Sequence, residues 1–105
     1  SKAVGRVYLA LTTRLAPAGF MIRSQDPITL SDSKPEPDGF VALGPDDRYD
    51  ARHPGPADLL LVVEVADTTL PDHQSGNLRL YAAERVRDYC VVNLPDRAGR
   101  EAILR

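Results

Sequence analysis

Glu64 is the residue whose sequence context most directly indicates a functional role, because it is the single charged residue in the apolar segment LLLVVEVA, residues 59–66. A segment this apolar is typical of a strand that is covered on both faces. A lone carboxylate buried there costs several kcal/mol unless it finds a proton, a hydrogen-bond donor or a cation. Glu64 therefore binds a cation, forms a salt bridge with a nearby arginine, or lies where the strand opens to water.

A second carboxylate, Asp38, closes the segment PEPD, residues 35–38, just before a short apolar segment. If the strands of Asp38 and Glu64 lie side by side, the two carboxylates converge on one point. Two carboxylates, the backbone carbonyl of Val65 and waters would then make an octahedral shell for Mg²⁺. The alternative is that Asp38 caps a turn, since aspartate between proline and glycine is ordinary turn chemistry.

The elements that must position these residues follow from the apolar periodicity along the chain. Valine and leucine at helical spacing predict a first helix, which Pro17 ends because it disfavours helical geometry in the residue before it. The predicted order is a helix over 2–15, strands over 19–25, 39–43 and 59–66, a helix over 74–87, a strand over 88–94 and a small tail strand.

This order predicts an α/β (α+β) fold in which helices flank a mixed sheet. The strand–helix–strand unit over 59–94 should be a right-handed crossover between parallel strands. The first three strands, joined by loops over 26–38 and 44–58, can run as an antiparallel meander. In strand 59–66, Glu64 should share one face with Val62 and Ala66.

Composition limits the class of protein. The 105 residues, 43% hydrophobic and 27% charged, suit a single globular domain over 1–105. No apolar segment approaches the roughly 20 residues that a membrane helix needs. With one cysteine, Cys90, and two histidines, an internal disulfide is excluded and a zinc site is disfavoured. We therefore expect a cytoplasmic protein with no membrane partner.

Charge is unevenly distributed, although the formal net charge is only −2. Acids dominate the middle of the chain and arginines its last third. Carboxylates can bind a hard cation, and arginines can bind phosphate groups. Most of these charges are equally explained as a solvated surface.

Three segments together carry a family resemblance: PEPD, HPGPADLLLVVEVADTTL and NLRLYAAERVRDYCVVN. They resemble a bacterial family of restriction-endonuclease-like proteins (Uma-type) within the PD-(D/E)XK nuclease superfamily. The resemblance covers residues 20–105, and helix 2–15 fits the first core helix of the family. The superfamily core is helix, three strands, helix, strand, which is the order predicted from periodicity.

The resemblance implies a metal-dependent DNA endonuclease. Asp38 matches the motif aspartate and Glu64 the second metal ligand, and Val65 would add its backbone carbonyl. The implied ion is Mg²⁺, with Mn²⁺ as an alternative, and it would polarise the scissile phosphate and activate a water. DNA is the implied partner, and a homodimer is expected because cutting both strands usually needs two sites.

The chain departs from the family pattern in its second helix, where Asn77 stands at the position of an expected lysine. Asparagine can donate a hydrogen bond but has no charge, and losing one such electrostatic contribution commonly costs around 10²–10³ in rate. Asn77 is still the third catalytic candidate. The residue at i+4, Tyr81, shares its helix face and is expected to pack in the core with its hydroxyl at the cleft rim.

A second departure lies at the start of the chain. Residues 1–16 contain no acid, so the glutamate that relatives often place on the first helix is absent, and we expect the family's additional N-terminal strand region to be absent as well. These departures favour an alternative function, a catalytically inactive nuclease-fold domain that binds DNA or protein. A third interpretation, an unrelated α/β interaction domain, would require all three segments to match by accident.

Overall fold

The computed structural model describes residues 2–66, 75–93 and 102–104. Its main elements are α1 (Lys2–Leu15), β1 (Met21–Ser24), β2 (Gly39–Ala42), β3 (Leu59–Ala66), α2 (Ser75–Ala83), β4 (Tyr89–Asn93) and β5 (Ala102–Leu104). This order confirms the predicted fold class. No helix within the described residues is both long enough and apolar enough to span a membrane.

The strands form one mixed sheet in the order β1-β2-β3-β4-β5. β2 pairs antiparallel with both β1 and β3, β3 pairs parallel with β4, and β4 pairs antiparallel with β5. The meander, the parallel strand–helix–strand unit and the tail strand are therefore all present. β3, which carries Glu64, is the middle strand of the five.

The two faces of the sheet are covered by different helices. Phe40 and Val62 lie opposite each other and belong to one core cluster with Tyr81 of α2. The intervening residues, such as Ile22 and Val41, point to the other face, where α1 packs against β1 and β2. Glu64 lies two residues beyond Val62 and hence on the α2 face.

A bulge changes the alternation at the start of β3. Val41 pairs with Leu61 but Ala42 pairs with Leu59, so Leu60 is an extra residue. Leu59 is consequently fully buried in the α2-side cluster, although strict alternation would put it on the same face as Leu61. From Leu61 to Ala66 the predicted alternation holds.

α2 is shorter at its C-terminus than predicted, ending at Ala83 rather than residue 87. Arg85 adopts a left-handed conformation (φ 60°) and donates its N–H to Ala82 O, while Val86 N donates to Tyr81 O. These two bonds form a Schellman motif, which usually has glycine where Arg85 stands. Because residues 82–88 contain no glycine or proline, the apolar periodicity gives no signal for this helix end.

The long loop before β3 is held together by Asp58, which is only 6% exposed. Its carboxylate accepts hydrogen bonds from Arg52 (2.7 Å), Arg48 (3.3 Å) and the backbone N–H of Gly55 (2.9 Å). The hydrogen bond from Arg52 lowers the pKa of Asp58 below its usual value, outweighing the opposing effect of burial. Asp58 thus anchors the residues from which β3 begins.

Replacing Asp58 with Asn should destabilise the protein by about 1–3 kcal/mol at pH 7, since Arg52 and Gly55 lose a charged acceptor. The folded pKa lies below the unfolded value of about 3.9, so this stabilisation is complete above that pH and disappears as the pH falls through the folded pKa. Urea unfolding at pH 7 and at acid pH measures it. The exposed Asp47→Asn is the control; a loss that persists unchanged in acid would contradict the assignment.

Candidate metal centre

Glu64 is buried on the α2 face of the sheet, with only 2% of its surface exposed. The Tyr81 hydroxyl donates a hydrogen bond of 2.7 Å to its Oε1. Tyr81 is itself fully buried, as predicted from its apolar spacing, but its hydroxyl lies on the carboxylate rather than at a cleft rim. A carboxylate in an apolar strand thus receives a donor from the helix that covers it.

The Tyr81 hydroxyl is held in its protonated, donating form. Burial raises the pKa of Tyr81 far above its usual value, and the hydrogen bond to Glu64 raises it further. The negative charges of Glu64 and Asp38 also raise this pKa, because a deprotonated tyrosine next to two carboxylates would be unfavourable. Both carboxylates therefore influence one buried hydroxyl.

Asp38 lies directly before β2, at the position opposite Glu64 of β3. The last pair of the β2–β3 ladder joins Gly39 to Val63, so the next positions along the two strands are Asp38 and Glu64. The Oδ2 atom of Asp38 accepts a hydrogen bond of 2.7 Å from the Val65 N–H. Its backbone carbonyl accepts from Gln25 N at 3.1 Å, which extends the pairing to β1. Asp38 is thus held on both sides.

Pro37 lies where the backbone pairing between the segment of Asp38 and β3 ends. Val62 N points towards β4, where it donates to Asp88 O, so by alternation Val65 N points towards β2. Continuing the register places Pro37 opposite Val65, and proline has no N–H to return to the Val65 carbonyl. The β2–β3 ladder ends before this position, and the Val65 N–H donates to the Asp38 carboxylate rather than to a backbone carbonyl.

The remaining candidates are less completely described. Residue 77 lies in the first turn of α2, four residues before Tyr81, and the structure describes its backbone only. The catalytic assignment of Asn77 stays a prediction. The hydrogen bond from Tyr81 to Glu64 was not predicted from the sequence; the position of Tyr81 at i+4 from Asn77 was the available signal.

The donors at this end of β3 fit a hard divalent cation. Asp38 and Glu64 supply carboxylate oxygens, and continuing the register places Pro37, which has no N–H to donate, opposite the Val65 carbonyl. Among residues 2–66, 75–93 and 102–104, no group of three or more His, Cys, Asp or Glu side chains is arranged to hold a metal. A cation at this position would therefore need the Val65 carbonyl and waters as ligands in addition to the two carboxylates. Mg²⁺ commonly binds in this way, through one or two carboxylates and several waters.

Comparison with known protein families gives a match over most of the chain. Residues 1–100 match the model of a protein family, Uma2, that is described as "Putative restriction endonuclease". No significant match was found among curated proteins or among solved structures. The family match confirms the resemblance inferred from the three sequence segments.

The hydrogen bond from Val65 to Asp38 should be measurable by comparing Asp38→Ala with Asp38→Asn in the presence of a chelator. Both changes remove the charge, but only Asn keeps an oxygen that can accept from Val65 N. Asp38→Ala should therefore be less stable than Asp38→Asn by about 1–3 kcal/mol in urea unfolding. The pair Asp32→Ala and Asp32→Asn, at an exposed position, should show little difference. Equal stabilities at position 38 would contradict the contact.

Proposed function

The chain belongs to the Uma2 family of restriction-endonuclease-like proteins, and on that premise we propose that it is a divalent-metal-dependent DNA endonuclease. The observation that carries the proposal is that the β2–β3 register, continued by one residue, places Asp38, directly before β2, opposite Glu64 of β3. Each carboxylate also receives a hydrogen bond of 2.7 Å from a fixed donor. The metal ligands in this proposal are Asp38, Glu64 and the carbonyl of Val65.

The ion in this proposal is Mg²⁺, with Mn²⁺ as an alternative, since both accept oxygen ligands in octahedral geometry. When bound, it would neutralise charge on the scissile phosphate and activate a water for attack. The chain's own contribution is to hold two negative charges side by side. Val65 N fixes Asp38 and the Tyr81 hydroxyl fixes Glu64, so little reorganisation is needed when a cation arrives.

Asn77 takes the third catalytic role in this proposal. From the first turn of α2 it would donate a hydrogen bond to the phosphate or to the attacking water. Without the charge of a lysine, its contribution should be smaller by around 10²–10³ in rate. We propose a homodimer as the form that cuts both strands, because each chain supplies one such site.

Asn77 is also the observation that favours a second candidate function, a catalytically inactive nuclease-fold domain that binds DNA or protein. A fold that retains both carboxylates but lacks the charged group would keep its shape and its cation while losing the hydrolysis step. The two functions predict different results for one substitution.

Plasmid cleavage separates the two functions. Supercoiled plasmid is incubated with Mg²⁺ or Mn²⁺ and wild type, Glu64→Gln or Asn77→Lys. We expect slow nicking by wild type, no nicking by Glu64→Gln because a ligand charge is lost, and a gain of about 10²-fold in Asn77→Lys. Glu36→Gln, an exposed acid two residues before Asp38, is the matched control and should behave like wild type.

An inactive wild type together with an active Asn77→Lys would identify a decayed site and support the binding module. If neither cuts, and calorimetry detects no cation binding that Glu64→Gln abolishes, the metal-centre assignment is wrong.

A further inference from the structure

A cavity of about 450 Å³ lies between the loop that leads to Asp38 and the loop that leads to β3. Its lining includes Lys34 from the first loop and Arg52 and His53 from the second. Cavities that bind small ligands commonly measure about 300–1,000 Å³. Ammonium, guanidinium and imidazole groups all donate hydrogen bonds. The lining therefore offers both donors and positive charge to an anion.

The Arg52 guanidinium is held in place by the fold itself. Its Nη1 donates to Asp58 Oδ2 at 2.7 Å, and its Nη2 donates to Asp58 Oδ1 at 3.4 Å. Its Cζ lies 5.2 Å from the centre of the Tyr49 ring. Tyr49 is fixed in turn, because it packs against the core cluster and its hydroxyl donates to Leu43 O at 2.6 Å. Binding an anion would consequently cost Arg52 little further side-chain entropy.

One edge of the Arg52 guanidinium remains available to a ligand. Asp58 accepts from the end of the group, and His53 O accepts from Nη1 at 3.4 Å. Within the part of the chain that the structure describes, nothing accepts from Nε–H or from the second N–H of Nη2, which lie side by side. Two parallel N–H groups of an arginine match two oxygens of a phosphate. The Arg52 side chain is 49% exposed, so a solute can reach it.

We propose that this cavity is a phosphate-binding site, in which Arg52 binds two phosphate oxygens and Lys34 supplies a second positive charge. Lys34 is exposed and forms no ion pair with any described residue. Asp50 also lines the cavity, and its carboxylate opposes the binding of an anion. The site is separate from the proposed metal centre, because phosphate binding here requires no cation at Asp38 and Glu64.

The phosphate belongs either to a DNA backbone or to a small phosphate ester. Lys34 precedes Asp38 by four residues, so their Cα atoms lie within about 14 Å of each other. A DNA duplex carries one negative charge per about 1.7 Å of its axis. A duplex bound at the metal centre would therefore present further phosphates at the distance of this cavity.

Binding is measured at physiological ionic strength with a chelator present, so that no cation contributes. The probes are inorganic phosphate, followed by calorimetry, and a labelled DNA duplex with unphosphorylated ends, followed by fluorescence anisotropy. Lys34→Gln should weaken the binding of at least one probe by about tenfold, because a charge-assisted contact is lost. For DNA, the slope of log affinity against log salt should also fall by about 0.9. Lys2→Gln, at another exposed lysine, is the matched control and should behave as wild type.

Asp50→Asn gives the opposite expectation, which a folding defect cannot imitate. Removing this negative charge from the lining should tighten binding of the same probe by about threefold, the effect of one unit charge at a few ångströms in water. Asp47→Asn, which removes an exposed charge outside the lining, is its control and should leave the affinity unchanged.

A third pair of variants tests the arginine edge. Arg52→Lys keeps the positive charge but loses the two parallel N–H groups, so it should also weaken binding. Arg48→Lys changes the other arginine that contacts Asp58, from outside the cavity, and should bind as wild type does.

The two probes identify the source of the phosphate. Changes in DNA affinity would identify a backbone phosphodiester, and changes confined to inorganic phosphate would identify a small phosphate ester. If wild type binds neither probe, or if Lys34→Gln and Asp50→Asn do not shift the affinity in opposite directions, the phosphate site is overturned. Failure of the proposed function would be seen separately, in cation titration and plasmid cleavage with Glu64→Gln.

Discussion

The carboxylate of Glu64, 2% exposed in the middle strand of the sheet, is the charge on which the rest of the site depends. A buried carboxylate persists only where donors or a cation compensate for lost hydration. Here α2 supplies the Tyr81 hydroxyl at 2.7 Å, so the helix that closes the hydrophobic core also stabilises the charge within it. Core packing and site chemistry consequently involve the same residue.

The end of the β2–β3 ladder supplies the second half of the site. The ladder ends before Pro37, which has no N–H to donate, and the neighbouring Asp38 carboxylate accepts the Val65 N–H at the position opposite Glu64. The segment PEPD thereby combines a strand stop with a candidate ligand. Residues 1–100 match the Uma2 family.

Contacts distant from the carboxylates hold the segments that carry them. The loop leading to Asp38 is joined to the C-terminal end of α2 by Glu84, the residue that directly follows this helix. Glu84 accepts hydrogen bonds from the Ser31 hydroxyl (2.6 Å) and N–H (3.0 Å). The same loop is joined to the segment before β3 through Thr29 N and Pro54 O (2.8 Å), and Asp58 fixes that segment. Loop, helix and strand are thus linked around one site, which suits a centre that must be organised before its ligand arrives.

The sequence by itself determined the order of elements, the bounds of α1 and β3, and the face on which Glu64 lies. These features follow from apolar periodicity, which is a local property of residues close together in the sequence. Only the tertiary structure decided that Tyr81 is the donor to Glu64 and that Asp38 receives the Val65 N–H. These partners are 17 and 27 residues apart, and their contacts depend on strand register and on where α2 packs. The bulge at Leu60 and the left-handed conformation of Arg85 were likewise decided by the tertiary structure. Neither residue type predicts its backbone conformation, and the packing around each one stabilises it.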